Sequence, residues 1–277
     1  MLVNSPMTQN YNPQSVVIHS FDDKKTHAHR RRVSTPQLPK TVFVISSNDL
    51  CMQPVKGAVI YTKIMADLKE KQENPKLTNK NLDKIEEVLI ENKVEIQKAL
   101  DYAYHKLNDK YKFSLSEFDF NEWSPTKSPQ EAQEFVSGSR TARGTYYRGS
   151  NNPELTKQNG YSLKRVNADY PGIYTSDSYS TARQYGDNPL KLKIRANNVV
   201  KLDGWDGFEQ HLFNSLNTKI TDKQTIKTLE GIKGIVELEM GKKLNIDAFT
   251  KRVQAFEEDE PSEALIVTNP KNIVIIE

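Results

Sequence analysis

The sequence predicts an α+β protein in which a helical region precedes a body of short strands and helices. Residues 55–115 carry apolar side chains at three- and four-residue steps, which is the period of a helix. From Gly144 onward, short aromatic and β-branched runs alternate with helical segments. Several of these runs lie too far apart along the chain to be joined as hairpins, so we expect strands and helices to mix in the second half.

The first 40 residues differ from the rest in amino-acid composition and hydrophobic pattern. Asn, Ser, Gln, Pro and Thr dominate residues 1–40, and neither a helical nor a strand period persists there. We interpret 1–40 as a disordered tail, with the basic run His27–Arg32 as part of its solvated surface. The expected plan is therefore a tail at 1–40, a helical region at 41–140 and a mixed body at 141–277.

The predicted elements begin and end at ordinary signals. Ser128, Pro129 and Glu131 form a capping box with proline at the first helical position, and Gly138 ends that short helix. Further helices are predicted at Val59–Leu68, from Thr78 or Asn81 to Leu107 with an interruption at Asn92, and at Ser178–Tyr185, Phe208–Leu216, Lys223–Leu229 and Ile246–Phe256. Strands are predicted at 145–148, 172–174, 190–194, 198–202, 263–268 and 273–276.

Composition excludes several classes of protein. Lys and Arg number 39 against 36 Asp and Glu, a net charge of +3, so the chain lacks the strongly basic character of a dedicated nucleic-acid binder. No run approaches the roughly 20 apolar residues that span a bilayer, so we expect no membrane partner. Cys51 is the single cysteine, which permits neither an internal disulfide nor a multi-cysteine zinc site, and we expect no metal.

Three short clusters at predicted strand ends hold candidate functional residues. They are Tyr147–Ser150, Gly172–Asp177 and Ser262–Val267. Strand ends hold side chains rigidly at the edge of a cleft, and Gly149 allows a ligand to approach the backbone. Each cluster alone has an ordinary structural explanation: Arg148 could pair with a surface carboxylate, Tyr174 could be half-buried core, and Glu263 could belong to the acidic run before it.

Together and in this order, the clusters resemble the three motifs of the ADP-ribosyltransferase superfamily over residues 144–277. Tyr-Arg-Gly-Ser is similar to the first-strand motif, and Gly-Ile-Tyr-Thr-Ser-Asp is similar to a segment of the poly(ADP-ribose) polymerase branch. Ser-Glu-Ala-Leu-Ile-Val resembles the last motif, a glutamate leading an apolar strand. The resemblance implies two packed mixed or antiparallel sheets with flanking helices, and Arg148, Tyr174 and Glu263 converging on one cleft between them.

The resemblance also implies NAD as the substrate and a role for each residue. Cleavage of the bond between ribose and nicotinamide builds positive charge on the ribose, which a carboxylate such as Glu263 would stabilise. Arg148 would bind phosphate or a ribose hydroxyl through its planar fork, Gly149 would bind the carboxamide through its backbone, and Tyr174 would stack on the nicotinamide ring. Secondary contacts to NAD are expected from Ser150, Thr175 and Ser176.

The chain departs from each branch of that superfamily. Arg148 matches the arginine-containing toxins, whereas Tyr174 and its surroundings match the polymerases. Arginine-specific toxins carry Glu or Gln two residues before the catalytic glutamate, and Pro261 stands there, which disfavours arginine as the acceptor. Glu258 and Glu260 have suitable mutual spacing but precede a proline, so they rank behind Glu263.

This organisation resembles bacterial effector toxins with an unstructured leader. The resemblance implies a monomeric mono-ADP-ribosyltransferase, delivered by a type III or similar route into a host cell, where it acts in the cytoplasm. Its target would be a protein side chain, as in effectors that modify GTPases, actin, ubiquitin or immune regulators. Two alternatives remain: an NAD glycohydrolase, and a non-catalytic module that binds protein or nucleic acid through a basic face of Arg143, Arg148, Arg165 and Arg183.

Overall fold

A computed structural model describes residues 55–73, 82–116, 118–121, 123–166, 168–253 and 262–277. These residues include nine α-helices: α1 Lys56–Gln72, α2 Leu82–Glu91, α3 Lys93–Tyr111, α4 Pro129–Phe135, α5 Pro153–Asn159, α6 Tyr179–Arg183, α7 Phe208–Asn217, α8 Lys223–Gly231 and α9 Lys233–Lys243. They also include eight strands: β1 Thr126–Lys127, β2 Tyr146–Arg148, β3 Ile173–Ser176, β4 Leu190–Ile194, β5 Val199–Lys201, β6 Ala248–Val253, β7 Ser262–Val267 and β8 Ile273–Ile276. The α+β class is confirmed. The predicted tail at 1–40, Glu258 and Glu260 lie outside the described residues.

Side-chain caps mark the start of four described helices, α4, α5, α6 and α8. The capping box at α4 forms as predicted, with the backbone N–H of Ser128 donating to Glu131 at 2.9 Å. The predicted interruption of the long helix is the break between α2 and α3 at Asn92. The prediction of a helix at Ile246–Phe256 is wrong, because Ala248–Val253 forms β6 between two partner strands. Helix α9 was not predicted at all.

The strands form one mixed sheet in the order β1-β8-β4-β2-β3-β7-β6-β5. Pairs β1–β8 and β5–β6 are parallel, and the other neighbours are antiparallel. The expectation of two packed sheets is therefore wrong, since hydrogen bonds connect all eight strands in one sheet. The two halves of the sheet are joined by a short ladder, because β2 and β3 share one registered pair, Tyr147 with Ser176. The β3–β7 ladder beside it has four.

Each face of the sheet carries an apolar cluster. One cluster joins α1–α3 and α7–α9 to β6 and β7 through residues such as Phe208 and Phe249. The other lies on β3, β4, β7 and β8 and includes Leu192 and Val267. Helices α1–α3 of the 41–140 region therefore share a core with the second half, and the described residues form one compact unit. Within them, no helix is both long enough and apolar enough to span a membrane.

Candidate functional site

A gap opens in the sheet where β2 and β3 diverge. Beyond the pair Tyr147–Ser176, the guanidinium of Arg148 donates a hydrogen bond to the backbone carbonyl of Tyr174. A side chain thus bridges the two strands at a point where they share no registered pair. Gly149 follows directly, and a Cβ atom there would lie 2.5 Å from the carbonyl oxygen of Ala182. Only glycine allows the end of β2 to pack this closely on α6.

The gap leads into a cavity of about 250 Å³. Strand β2, the loop before β3, β3 itself and α6 contribute its walls, and the lining residues are Tyr147, Arg148, Gly149, Val166, Tyr170, Gly172, Tyr174, Thr175, Ser176, Ala182 and Tyr185. Of the seven residues predicted to contact NAD or act in catalysis, Arg148, Gly149, Tyr174, Thr175 and Ser176 are brought together here.

Tyrosine rings form much of the cavity surface. The ring centroid of Tyr174 lies 5.8 Å from those of Tyr170 and Tyr185, with interplanar angles of 62° and 51°. Burial chiefly, and then the neighbouring Tyr185 and Tyr170, raise the pKa of Tyr174, so its phenol stays protonated. The three rings offer flat apolar faces and hydroxyl groups that donate and accept hydrogen bonds, which suits a planar aromatic ligand with polar edges.

Sequence reasoning missed Tyr170 and Tyr185 as candidates. Tyr170 precedes Pro171-Gly172, and Tyr185 precedes Gly186 just beyond α6. The available signal was an aromatic residue close to a glycine, just before β3 or just after α6. The contact of both rings with Tyr174 could be seen only in the tertiary structure.

Arg148 is the charged group of this cavity. It is half-buried, its guanidinium lies 5.6 Å from the ring centroid of Tyr161, and among the described residues no carboxylate lies within 4.0 Å of it. Burial lowers the pKa of the guanidinium, but an arginine keeps its charge in a protein. A positive charge with a fork of donors and no carboxylate partner is suited to a phosphate or carboxylate of a ligand.

Glu263 does not line this cavity. It lies in a neighbouring hollow of about 220 Å³ whose other lining residues are Arg140, Thr141, Gly144, Tyr146, Val199, Thr250 and Leu265. Its backbone N–H donates to Oδ1 of Asp177 at 3.0 Å. Burial and, after it, the carboxylates of Glu263 and Asp177 raise the pKa of Tyr146. The expected convergence of Arg148, Tyr174 and Glu263 is therefore found for the first two only.

The strand register separates Arg148 from Glu263 along the strands and not by face, because Arg148 lies opposite Thr175 and Glu263 opposite Asp177. Alternate side chains of a strand point to opposite faces, and the pairs Tyr147–Ser176 and Ser176–Ala264 define the rows. Arg148 and Glu263 consequently point to one face of the sheet, whereas Tyr174 points to the other. At normal strand spacing and rise, the Cα atoms of Arg148 and Glu263 are about 12 Å apart.

The three secondary candidates differ in availability. Ser150 is buried outside the cavity, with its Oγ 3.1 Å from Oγ1 of Thr156. The hydroxyl of Thr175 donates to the carbonyl of Leu265 at 2.7 Å, so its hydrogen is already used. Ser176 accepts from the N–H of Ser178 at 3.0 Å and retains a hydrogen to donate to a ligand. Ser176 is thus the stronger secondary candidate.

Other site chemistries find less support in the described part of the chain. The described histidine, aspartate and glutamate residues form no group of three suited to a metal ion. Arg143 and Arg183 are exposed and do not line the cavity, so they do not extend the charge of Arg148 into it.

Comparisons of this chain with protein-family models, with curated proteins and with solved structures found no match. Function is therefore inferred from the geometry of the gap between β2 and β3, from its tyrosine walls and from the charge of Arg148.

Proposed function

We propose that this protein is an NAD-dependent mono-ADP-ribosyltransferase that modifies a side chain of a target protein. The observation that carries the proposal is Arg148, a cation without a described carboxylate partner in the wall of a tyrosine-lined cavity. NAD combines the two features that such a wall selects, a flat ring with a carboxamide and a diphosphate. As the sequence resemblance implies, the proposal includes delivery of the enzyme from a bacterium into a host cell.

The cavity has room for one ring and its ribose rather than for a whole dinucleotide. In the proposed complex the nicotinamide stacks on the ring of Tyr174 beside Tyr185, and its carboxamide bonds to the backbone at Gly149. The fork of Arg148 holds a phosphate, and Ser176 donates to an oxygen of the ligand. The ribose then extends from the gap onto the sheet face that Arg148 shares with Glu263.

The reaction balances as a substitution at the anomeric carbon. The bond between ribose C1′ and the nicotinamide nitrogen breaks, and its electron pair leaves with neutral nicotinamide. The acceptor side chain forms a new bond to C1′ and releases a proton to a base or to water. A carboxylate near the ribose stabilises the developing cation more than it stabilises bound NAD, and the proposal assigns this role to Glu263.

One observation favours a second candidate. No carboxylate is among the described residues that line the cavity. A cavity with a cation and aromatic walls but no catalytic acid would suit a module that binds a nucleotide without breaking it.

Calorimetry with NAD, followed by measurement of nicotinamide release with and without a cell lysate, distinguishes these functions. A transferase binds NAD, releases nicotinamide faster with lysate, and transfers radiolabelled ADP-ribose to a lysate protein. Hydrolysis at one rate with and without lysate would identify a glycohydrolase, and binding without release would identify the binding module. Absence of NAD binding would contradict the proposal. The same calorimetry on Arg148→Met should show weaker NAD binding. Arg143→Met is the matched control, because Arg143 is exposed and lies outside the cavity, and it should bind NAD normally.

A further inference from the structure

The loop between α5 and β3 forms much of one cavity wall. It contributes Val166, Tyr170 and Gly172 to the lining. It also carries Tyr161, whose ring lies beside the guanidinium of Arg148. The position of this loop therefore affects both the shape of the cavity and the environment of its charge.

A lysine from the helical region reaches into this loop. Lys71, in the last turn of α1, is only 6 % exposed. Its Nζ donates to the backbone carbonyls of Val166 at 2.7 Å and Leu163 at 3.3 Å. Leu163 opens a 3₁₀ turn that ends at Arg165, and its carbonyl also accepts from the N–H of Val166 at 3.0 Å. The ammonium thus binds the carbonyl end of the turn, where a cation is favourable.

Two further contacts hold the loop against the helices. Glu70 of α1 pairs with Lys164 at 2.7 Å on the surface, an exposed pair that contributes little to stability. At Gly234 in α9, a Cβ atom would lie 2.2 Å from the backbone nitrogen of Tyr170, so the helix and the loop backbone are in direct contact there. Among these contacts, Lys71 makes the buried, charge-assisted hydrogen bonds.

We propose that Lys71 is a positioning residue for the cavity, so that helix α1 is part of the ligand-binding unit rather than packing alone. This inference rests on the proposed function only in taking the cavity as the NAD site. Lys71 touches no ligand itself. It holds the carbonyls of Leu163 and Val166, and through them the segment that places Val166 and Tyr161.

The test compares Lys71→Met with Lys71→Arg, whose guanidinium can still donate to both carbonyls. Lys69→Met is the matched control, because Lys69 lies on the same helix with a side chain 66 % exposed. We measure NAD affinity by calorimetry, amide hydrogen exchange of residues 160–172 by mass spectrometry, and kcat and KM for nicotinamide release. Lys71→Met should weaken NAD binding about tenfold and accelerate exchange in 160–172 by a similar factor.

A positioning role predicts further that KM rises while kcat changes little, and that Lys71→Arg restores most of the affinity. Unchanged affinity and exchange in Lys71→Met would overturn the inference, as would equal acceleration of exchange in β6 and β7, which would indicate a general loss of stability. If Lys71→Met does not fold, Lys71→Gln takes its place and the same outcomes decide. If the unaltered protein does not bind NAD, the proposed function fails, and the exchange data alone decide whether Lys71 positions the loop.

Discussion

The cavity at the gap and the hollow beside Glu263 are neighbours with different chemistry. The cavity has tyrosine walls and one cation, Arg148, without a described carboxylate partner. The hollow has an exposed carboxylate, Glu263, whose backbone is hydrogen-bonded to Asp177. In the proposed enzyme the cavity binds the substrate and the hollow stabilises the charge that forms during the reaction. In that enzyme one functional unit would be divided between two depressions, and variants can test the division.

Removing the charge of the hollow should have the largest effect on activity. We expect Glu263→Gln to lower turnover by roughly 10²- to 10³-fold, because one preorganised charge is lost in the transition state. NAD affinity should change little, since Glu263 lies outside the cavity. Nicotinamide release and calorimetry measure the two quantities. Glu154→Gln, which alters an exposed glutamate on α5, is the control. Normal turnover in Glu263→Gln would show that the hollow has no role in the reaction.

The pH dependence of folding must be separated from that of the site. Glu237 in α9 is 1 % exposed, and neither carboxylate oxygen has a hydrogen-bond partner. Burial chiefly, with a contribution from Glu209, raises the pKa of Glu237 to about 8. Above the unfolded pKa of about 4.3, the folded state binds the additional proton, so the free energy of unfolding should fall as pH rises toward 8.

Glu237→Gln should flatten that decline. The difference between the two proteins should grow with pH and reach at most about 5 kcal/mol by pH 9. Urea unfolding at pH 5, 7 and 9 measures it. Parallel stability curves for the two proteins would show that Glu237 titrates alike in both states. The dependence of enzyme activity on pH is then measured in the Glu237→Gln protein, so that the titration of Glu237 does not contribute to it.

Altering Arg148, the cation of the cavity, should weaken NAD binding. Arg148→Lys retains the charge but loses the planar fork, so we expect NAD affinity to fall about tenfold or more. Because Arg148 also bonds to the carbonyl of Tyr174, the melting temperature is measured alongside affinity. Equal affinity in calorimetry, with normal folding, would show that the fork does not contact the dinucleotide.

The smallest effect is expected from the tyrosine walls. Tyr185→Leu keeps an apolar side chain but removes the ring that faces Tyr174, and we expect NAD to bind about three- to tenfold more weakly. Tyr102→Leu on α3 is the control, because Tyr102 does not line the cavity and its ring contacts Lys106 and Lys219. Similar losses in both variants would argue against stacking in this cavity.

Local signals were sufficient for much of the fold. The capping box at Ser128 set the start of α4, and the apolar periods predicted α1, α3 and α7, because these elements depend on contacts between near neighbours along the chain. The segment Ile246–Phe256 was predicted as a helix but contains β6, since pairing with β5 on one side and β7 on the other outweighed its helical pattern. Helix α9 contains Gly234 and Gly241, which weaken the helical signal, and the surrounding core supports it.

The candidate site divides in the same way. Local sequence was enough to place Arg148 and Gly149 at the end of one strand and Tyr174 in the next, although β3 continues to Ser176 and not only to the predicted residue 174. Only the tertiary structure decided that β2 and β3 share a single residue pair, that Tyr170 and Tyr185 meet Tyr174, and that Glu263 faces a separate hollow. The physical reason is register. A shift of one residue between paired strands moves every side chain to the opposite face, and register depends on hydrogen bonds between segments distant in sequence.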